Sequence, residues 1–328
     1  MIMEGIRAIM VINSVSDVRE MAACIGDNIK KVIIGRDDTI EMVLAAMISG
    51  GHILLEDVPG SGKTMLAKAL AKSIDGEFKR IQMTPDLLPA DITGINFFNM
   101  KTSEFQFVRG PVFSNILIAD EINRATPKTQ AGLLEAMEER QVTVDGVTYQ
   151  LKSPFLVIAT ENPIDTQGVF PLPEAQIDRF AVKLSMKYPD HQAMIDIMKT
   201  HMTKDVLMEL EPVAVKSDIS DAMEIVKNIR IADELVEYVV NIVEKTREDS
   251  RIILGISQRG ALALISAARG LAAIAGREYV LPDDIKRAAP YVCVHRIILK
   301  NSERIKENAE LEVMEQIIDS VPVPTEEL

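Results

Sequence analysis

The stretch Gly51-His52-Ile53-Leu54-Leu55-Glu56-Asp57-Val58-Pro59-Gly60-Ser61-Gly62-Lys63-Thr64 limits what this chain can fold into more than any other. Ile53 to Leu55 is a short apolar run and reads as a buried strand. A glycine-rich loop follows it, and Met65 to Lys72 reads as a helix. Strand, glycine loop and helix in that order turn a row of backbone N–H groups inward at a helix N-terminus, which suits anionic oxygens. Lys63 carries a charge that can reach the outer phosphates of a nucleotide, and the Thr64 hydroxyl is a ligand type for Mg2+. The pattern departs from its full form at one position, where Asp57 stands in place of the leading glycine.

A second motif gives the first its chemistry. Ile116-Leu117-Ile118-Ala119-Asp120-Glu121 is another apolar strand, with two carboxylates at its C-terminal end. Beside a phosphate-binding loop, this is the Walker B strand. Asp120 is placed to hold the Mg2+ shell and Glu121 to polarise an attacking water. Phe155 to Ala159 reads as a further buried strand, with Asn162 just beyond it as a candidate to orient that water, or else as part of an Asn-Pro turn. Pro173 to Phe180 reads as a short helix carrying Arg179, either a surface ion pair or a group reaching a nucleotide. With Glu77 to Met83 and Val182 to Met186, five strands alternate with helices, so the expected core is a mostly parallel sheet with helices on both faces.

Two hairpins interrupt this alternation. Ile95 to Phe98 and Glu104 to Val108 form one. Val142 to Leu151 forms the other, its Asp145-Gly146 turn flanked by alternating apolar residues. On the helix from Thr126 to Glu139, Leu133, Leu134 and Met137 face inward, and Glu138, Glu139 and Arg140 are expected to face water. Near the start, a helix over residues 14 to 34 runs into Ile33-Ile34-Gly35, a helix end capped by Gly35, an apolar flap on an adenine ring, or both. Beyond Pro189 the pattern is wholly helical, ending with a helix over Pro282 to Leu299. The expected division is therefore 1–189 for the α/β core and 190–328 for a helical domain. Arg259 falls in the first turn of a helix capped by Ser257, where its charge opposes the helix dipole. That placement calls for an anionic partner, either a ligand or an acid of the chain such as Asp249.

Composition excludes some classes. A formal net charge of −13 argues against a general binder of nucleic-acid backbones. Two cysteines, Cys24 and Cys293, have no metal-ligand spacing and imply no disulfide framework. No run reads as a membrane span or a secretory leader, so the expected location is the cytoplasm.

The order of motifs resembles the AAA+ ATPases, and the phrases Gly51 to Thr64, Asp120 to Ala125, Gln130 to Arg140, Ala159 to Pro163, Leu172 to Phe180 and His295-Arg296 are similar to the MoxR family. The resemblance implies a P-loop core with an all-α lid. It also implies ATP or ADP with Mg2+ as ligands, and a phosphate and base site of Ile33, Ile34, Gly35, Asp57, Pro59, Gly60, Ser61, Gly62, Lys63, Thr64 and Met65. Thr64 and Asp120 would serve the metal. Glu121 would be the catalytic carboxylate, Asn162 would match sensor 1, Arg179 the arginine finger and Arg259 the sensor 2 arginine, with Arg124 as a second candidate for a contact to a neighbouring copy. Gln258, where the family usually has proline, departs from the sensor 2 pattern. The first hairpin looks like the insert in helix 2 that marks this clade. The family's hexameric rings and chaperone-like action, often with partners carrying a von Willebrand factor A domain, follow as expectations. A nucleic-acid-remodelling ATPase of the same clade and a nucleotide-gated adaptor without fast turnover are the alternatives.

Overall fold

The computed structural model describes residues 11–56, 60–162, 168–186, 188–203, 205–300 and 308–324. Ser14 starts helix α1 (Val15–Lys30) with a reciprocal cap in which its hydroxyl accepts from the Asp17 N–H and the Asp17 carboxylate accepts from the Ser14 N–H. Helix α2 (Asp37–Ile48) is buried at Ile40 and from Met42 to its end. Then come β1 (Ile53–Glu56), α3 (Lys63–Ser73), β2 (Phe78–Gln82), α4 (Pro89–Thr93), β3 (Gly94–Asn99), β4 (Glu104–Arg109) and β5 (Ile116–Asp120). They are followed by α5 (Pro127–Glu139), β6 (Gln141–Val144), β7 (Val147–Gln150), β8 (Leu156–Glu161), α6 (Glu174–Ile177) and β9 (Val182–Leu184).

Five of these strands form one sheet in the order β2-β5-β8-β1-β9, and every pairing in it is parallel. The three middle strands are continuous apolar runs because both their faces are covered. Alternation along each strand divides the core. Ile53 and Leu55 join the apolar cluster under α1, α2 and α3, whereas Leu54, Leu117 and Val157 join the one under α5. The first cluster also takes in Ile242, Leu264, Ile285 and Met314, from the far side of residue 189.

The C-terminal half contains α7 (His191–Thr203), α8 (Val206–Glu209), α9 (Lys216–Lys227), α10 (Asp233–Glu248), β10 (Ile252–Leu254), α11 (Gln258–Ile274), α12 (Pro282–Cys293), β11 (Ile298–Leu299) and α13 (Ala309–Ser320). Two departures from the sequence expectation stand out. The half is not wholly helical, since β10 and β11 pair as a small antiparallel ribbon, and the helix expected over 282–299 stops at Cys293. Pro290 removes one backbone donor near that end, and Ile298 and Leu299 are drawn into the ribbon instead. Likewise α1 ends at Lys30, so Gly35 is not its cap. Gly35 takes a left-handed φ of 72° in the turn before α2.

Both hairpins form. In the β6–β7 turn Asp145 and Gly146 take φ of 49° and 80°, as a two-residue turn between twisted strands requires. The two hairpins lean on each other. Phe107 stacks on Tyr149 with ring centroids 4.2 Å apart, and the Asn96 amide donates to the Asp145 carboxylate at 2.8 Å.

Candidate active site

The phosphate loop leads directly into α3, whose first residue is Lys63. Gly62, at φ 97°, stands at the cap with no side chain to offer, and the first N–H groups of a helix have no partner within the helix. A side chain at Gly60, φ 84°, would meet none of the described residues within 4 Å. A methyl on Gly62 would instead lie 3.7 Å from Met186 Cε and 4.0 Å from Ile33 Cδ1, two apolar groups that wall the loop. The Ser61 hydroxyl is shut off from solvent and has no hydrogen-bond partner among the described residues. A helix N-terminus, an orphaned hydroxyl, a lysine and a threonine make a donor set that fits a polyphosphate with its Mg2+.

Strand β8 lies between β1 and β5, so the loop, Asn162 and the Asp120-Glu121 pair emerge from adjacent C-terminal strand ends. Asp120 is buried, and its carboxylate accepts from Arg80 Nε at 2.6 Å and from Thr160 Oγ1 at 3.2 Å. Glu121 leaves the strand in a left-handed conformation, φ 56° and ψ 54°, which few residues other than glycine adopt. Its N–H is held by Thr160 Oγ1 at 2.9 Å. The turn swings its carboxylate toward β2, where Gln82 Nε2 donates at 2.7 Å and Arg124 Nε stands 3.3 Å away. Asn162 is buried just past β8. At the same strand ends Glu56 pairs with Lys183 at 2.7 Å, and burial pushes the neighbouring Glu161 carboxyl up despite that lysine. Glu56, Glu161 and Lys183 line a cleft of about 1110 Å³ along β9, together with Gly35 and the lid residues Tyr291 and His295.

The two candidate arginines are elsewhere. Ala181, two residues past Arg179, donates its N–H to the His52 carbonyl at 2.8 Å, at the start of β1. The strands are parallel, so Arg179 lies at their N-terminal edge, across the sheet from the phosphate loop. Glu138, near the end of α5, brings Arg259 to the same place. One carboxylate oxygen lies 3.1 Å from Arg179 Nε, and the other accepts from the Arg259 guanidinium. The lid is fastened here as well. Asp178 accepts from Ser257 Oγ at 2.8 Å and from Arg296 Nε at 2.7 Å, and buried Arg296 also donates to the carbonyls of Asp178 and Phe180.

The family model described as "ATPase family associated with various cellular activities (AAA)" matches residues 52–182, and an AAA lid domain model matches residues 244–317. Among curated relatives, an uncharacterised protein YeaC of Bacillus subtilis is 47% identical over 92% of this chain and 94% of its own length. Chaperone MoxR1 of Mycobacterium tuberculosis is 39% identical over 90% of this chain and 80% of its own. Protein MoxR of Methylorubrum extorquens is 28% identical over 94% and 97%. A crystal structure from Cytophaga hutchinsonii superposes with a TM-score of 0.88 at 36% identity, covering 95% of this chain and 97% of that one. The chain belongs to the MoxR family of AAA+ ATPases.

Within this MoxR-family fold, Gly60, Ser61, Gly62, Lys63, Thr64 and Met65 form the loop and first helical turn, with Ile33 against them, Ile34 half-buried and Gly35 exposed at the cleft. Asp57, Pro59 and Pro163 lie outside the described residues. Arg124 contacts Glu121 of its own chain. Sequence reasoning passed over Arg80, Gln82, Thr160 and Met186. Arg80 and Gln82 alternate with buried Ile81 on β2, and Gln82 pairs in register with Asp120, but only the strand order makes them neighbours of Glu121. Glu138 and Glu139 face water as expected, and the expectation is overturned for Arg140 alone. Glu138 holds two arginines, and Arg140 turns inward to the carbonyls of Gly50 and Phe155, with its charge over the Phe155 ring. The acid that answers Arg259 is Glu138, whereas Asp249 is taken by Arg251 at 2.8 Å.

Proposed function

We propose that this chain hydrolyses ATP with Mg2+ at sites shared between copies in a ring, and uses the cycle to remodel partner proteins. The observation that carries this reading is the separation of its parts. The phosphate loop, Asp120, Glu121 and Asn162 share one edge of the sheet, and Arg179 and Arg259 share the other. A guanidinium at the N-terminal edge of β1 has no path to a phosphate at the C-terminal edge of the same strand. It is available to the nucleotide of a second copy packed head to tail, an arrangement that closes into a ring.

In this reading the loop N–H groups, Ser61 and Lys63 hold the β- and γ-phosphates, while Thr64 and Asp120 hold the metal. Mg2+ held by Thr64 and Asp120 would neutralise charge developing on the phosphates. Glu121 takes a proton from water, and Gln82 and Arg124 fix where its carboxylate waits. Thr160 ties the Asp120 and Glu121 positions together through its one hydroxyl. Asn162 orients the water, and Arg179 with Arg259 stabilises the charge on the neighbour's γ-phosphate. Ile33 and Met186 exclude water beside the loop, and Gly35 marks the base end of the cleft.

The name of Chaperone MoxR1 supports action on proteins. A partner with a von Willebrand factor A domain, a hexamer and a cytoplasmic site of action belong to this reading. The nucleic-acid alternative gains nothing, since the β6–β7 tip is acidic and Asp145 is engaged by Asn96. The test is the ATPase rate per subunit against protein concentration with Mg2+. A rate that climbs and saturates supports shared sites. A flat, measurable rate defeats them.

A further inference from the structure

We propose that Glu138 is a positioning residue for turnover, one that gathers Arg179 and Arg259 into a single clamp presented to a neighbouring copy's nucleotide. The inference rests on the shared-site reading above and adds a residue and a mechanism to it.

Three distant segments meet at this carboxylate: the end of α5, the turn after α6 and the first turn of α11. Among the described residues Glu138 is the acid that either arginine contacts. Two guanidiniums this close repel each other, and each has a long side chain with much rotamer freedom to lose. A carboxylate has two oxygens and can answer both at once. Arg259 takes one and Arg179 the other, and the Arg179 contact is a charge contact at 3.1 Å without hydrogen-bond alignment at Nε. The triad keeps a net positive charge. All three side chains are about a third to a half exposed, so donors remain free for an incoming anion. The backbone beneath is fixed, since Asp178 is clamped by Ser257 and Arg296, which sets Arg179 and Arg259 side by side. What the frame leaves loose is the pair of guanidiniums, and Glu138 sets those. A preorganised pair needs no reordering when charge develops on the γ-phosphate, so the contribution appears in kcat.

The experiment is steady-state ATPase kinetics at saturating protein concentration on Glu138→Ala, Arg179→Ala plus Arg259→Ala, and the triple variant. Binding of a fluorescent ATP analogue and thermal melting are followed alongside. Glu138→Ala is expected to lower kcat about tenfold, the size of one lost charge-assisted contact, with nucleotide affinity and melting temperature unchanged. In the double-arginine background the same change is expected to cost nothing further, because there is no pair left to position. Parent kcat in Glu138→Ala overturns the inference, as does an equal loss in the double-arginine background or a rise in kcat. If the double-arginine variant itself turns over at the parent rate, the shared-site reading fails too, and that result is read separately from the Glu138 result.

Discussion

Arg259 in the first turn of α11 and Glu138 in the last turn of α5 both stand where the helix dipole opposes their charge. Each placement is unfavourable alone, and their contact explains both. From sequence the arginine's need for an anion was legible, but its partner was not, because Glu138 is 121 residues away. His52 is the converse case, a side chain that reads as unremarkable and proves fully buried. Its Nδ1 accepts from the Val157 N–H at 3.0 Å and its Nε2 lies 3.0 Å from the Met137 carbonyl, which fixes the neutral tautomer with the proton on Nε2. Burial, then the nearby Arg140 charge, push its pKa from 6.5 down to about 3. The folded state therefore resists a proton that the unfolded chain accepts below pH 6.5. The stability from this site is complete above that pH and is lost as pH falls from 6.5 toward 3. His295 is shifted in the same direction, also by burial, so the test must isolate His52. Denaturant unfolding of the parent and of His52→Gln between pH 7 and 5 is expected to show a shallower acid loss in the variant. The difference approaches ~1.4 kcal/mol per pH unit once the unfolded histidine is charged. Identical slopes would mean His52 does not stay neutral in the fold.

At the scale of elements, what was legible is what local chemistry decides. Ile53 to Leu55 and Ile116 to Ala119 are apolar runs of strand length between turn signals, and both are central strands. Asp145-Gly146 specified its turn through the left-handed angles that those residues tolerate. The ribbon of β10 and β11 was not legible, because its strands are two and three residues long and exist through each other. Arg296 likewise read only as part of a family phrase, yet it fastens the lid to the core. Its guanidinium is almost wholly buried against Asp178, and burial lowers its pKa even though Asp178 opposes the shift. Removing one member of such a pair strands a charge in the interior, at a cost of about 3–5 kcal/mol. Asp178→Ala is therefore expected to lower the unfolding free energy by that order in a denaturant titration. Removing Lys30 from its exposed contact with Asp37 should cost under about 1 kcal/mol. If the two variants lose equal stability, Arg296 is not the fastening that joins lid and core.

For the whole molecule, the strand order carries the consequence. In a parallel sheet every chain end of one kind lies on one side, so residues leading into β1 and residues leaving it cannot meet. Glu121 leaves β5 on the loop side, and Arg179 precedes β9 on the other. A site completed by a neighbour therefore takes Glu121 from one copy and Arg179 from the next, which two inactive variants can test. Glu121→Gln keeps its arginines but has a dead site of its own. Arg179→Ala keeps an intact loop and acid but gives its neighbour no finger. Each alone is expected to lose turnover by roughly 10³-fold or more. Mixed before assembly, some Arg179→Ala copies sit beside Glu121→Gln copies that supply the missing guanidinium, and part of the ATPase activity should return. The recovered rate should follow the fraction of mixed neighbours as the ratio is varied, peaking between the pure variants. If Arg179 served its own site, no mixture would exceed the weighted sum of the two variants, and the head-to-tail arrangement would lose its support.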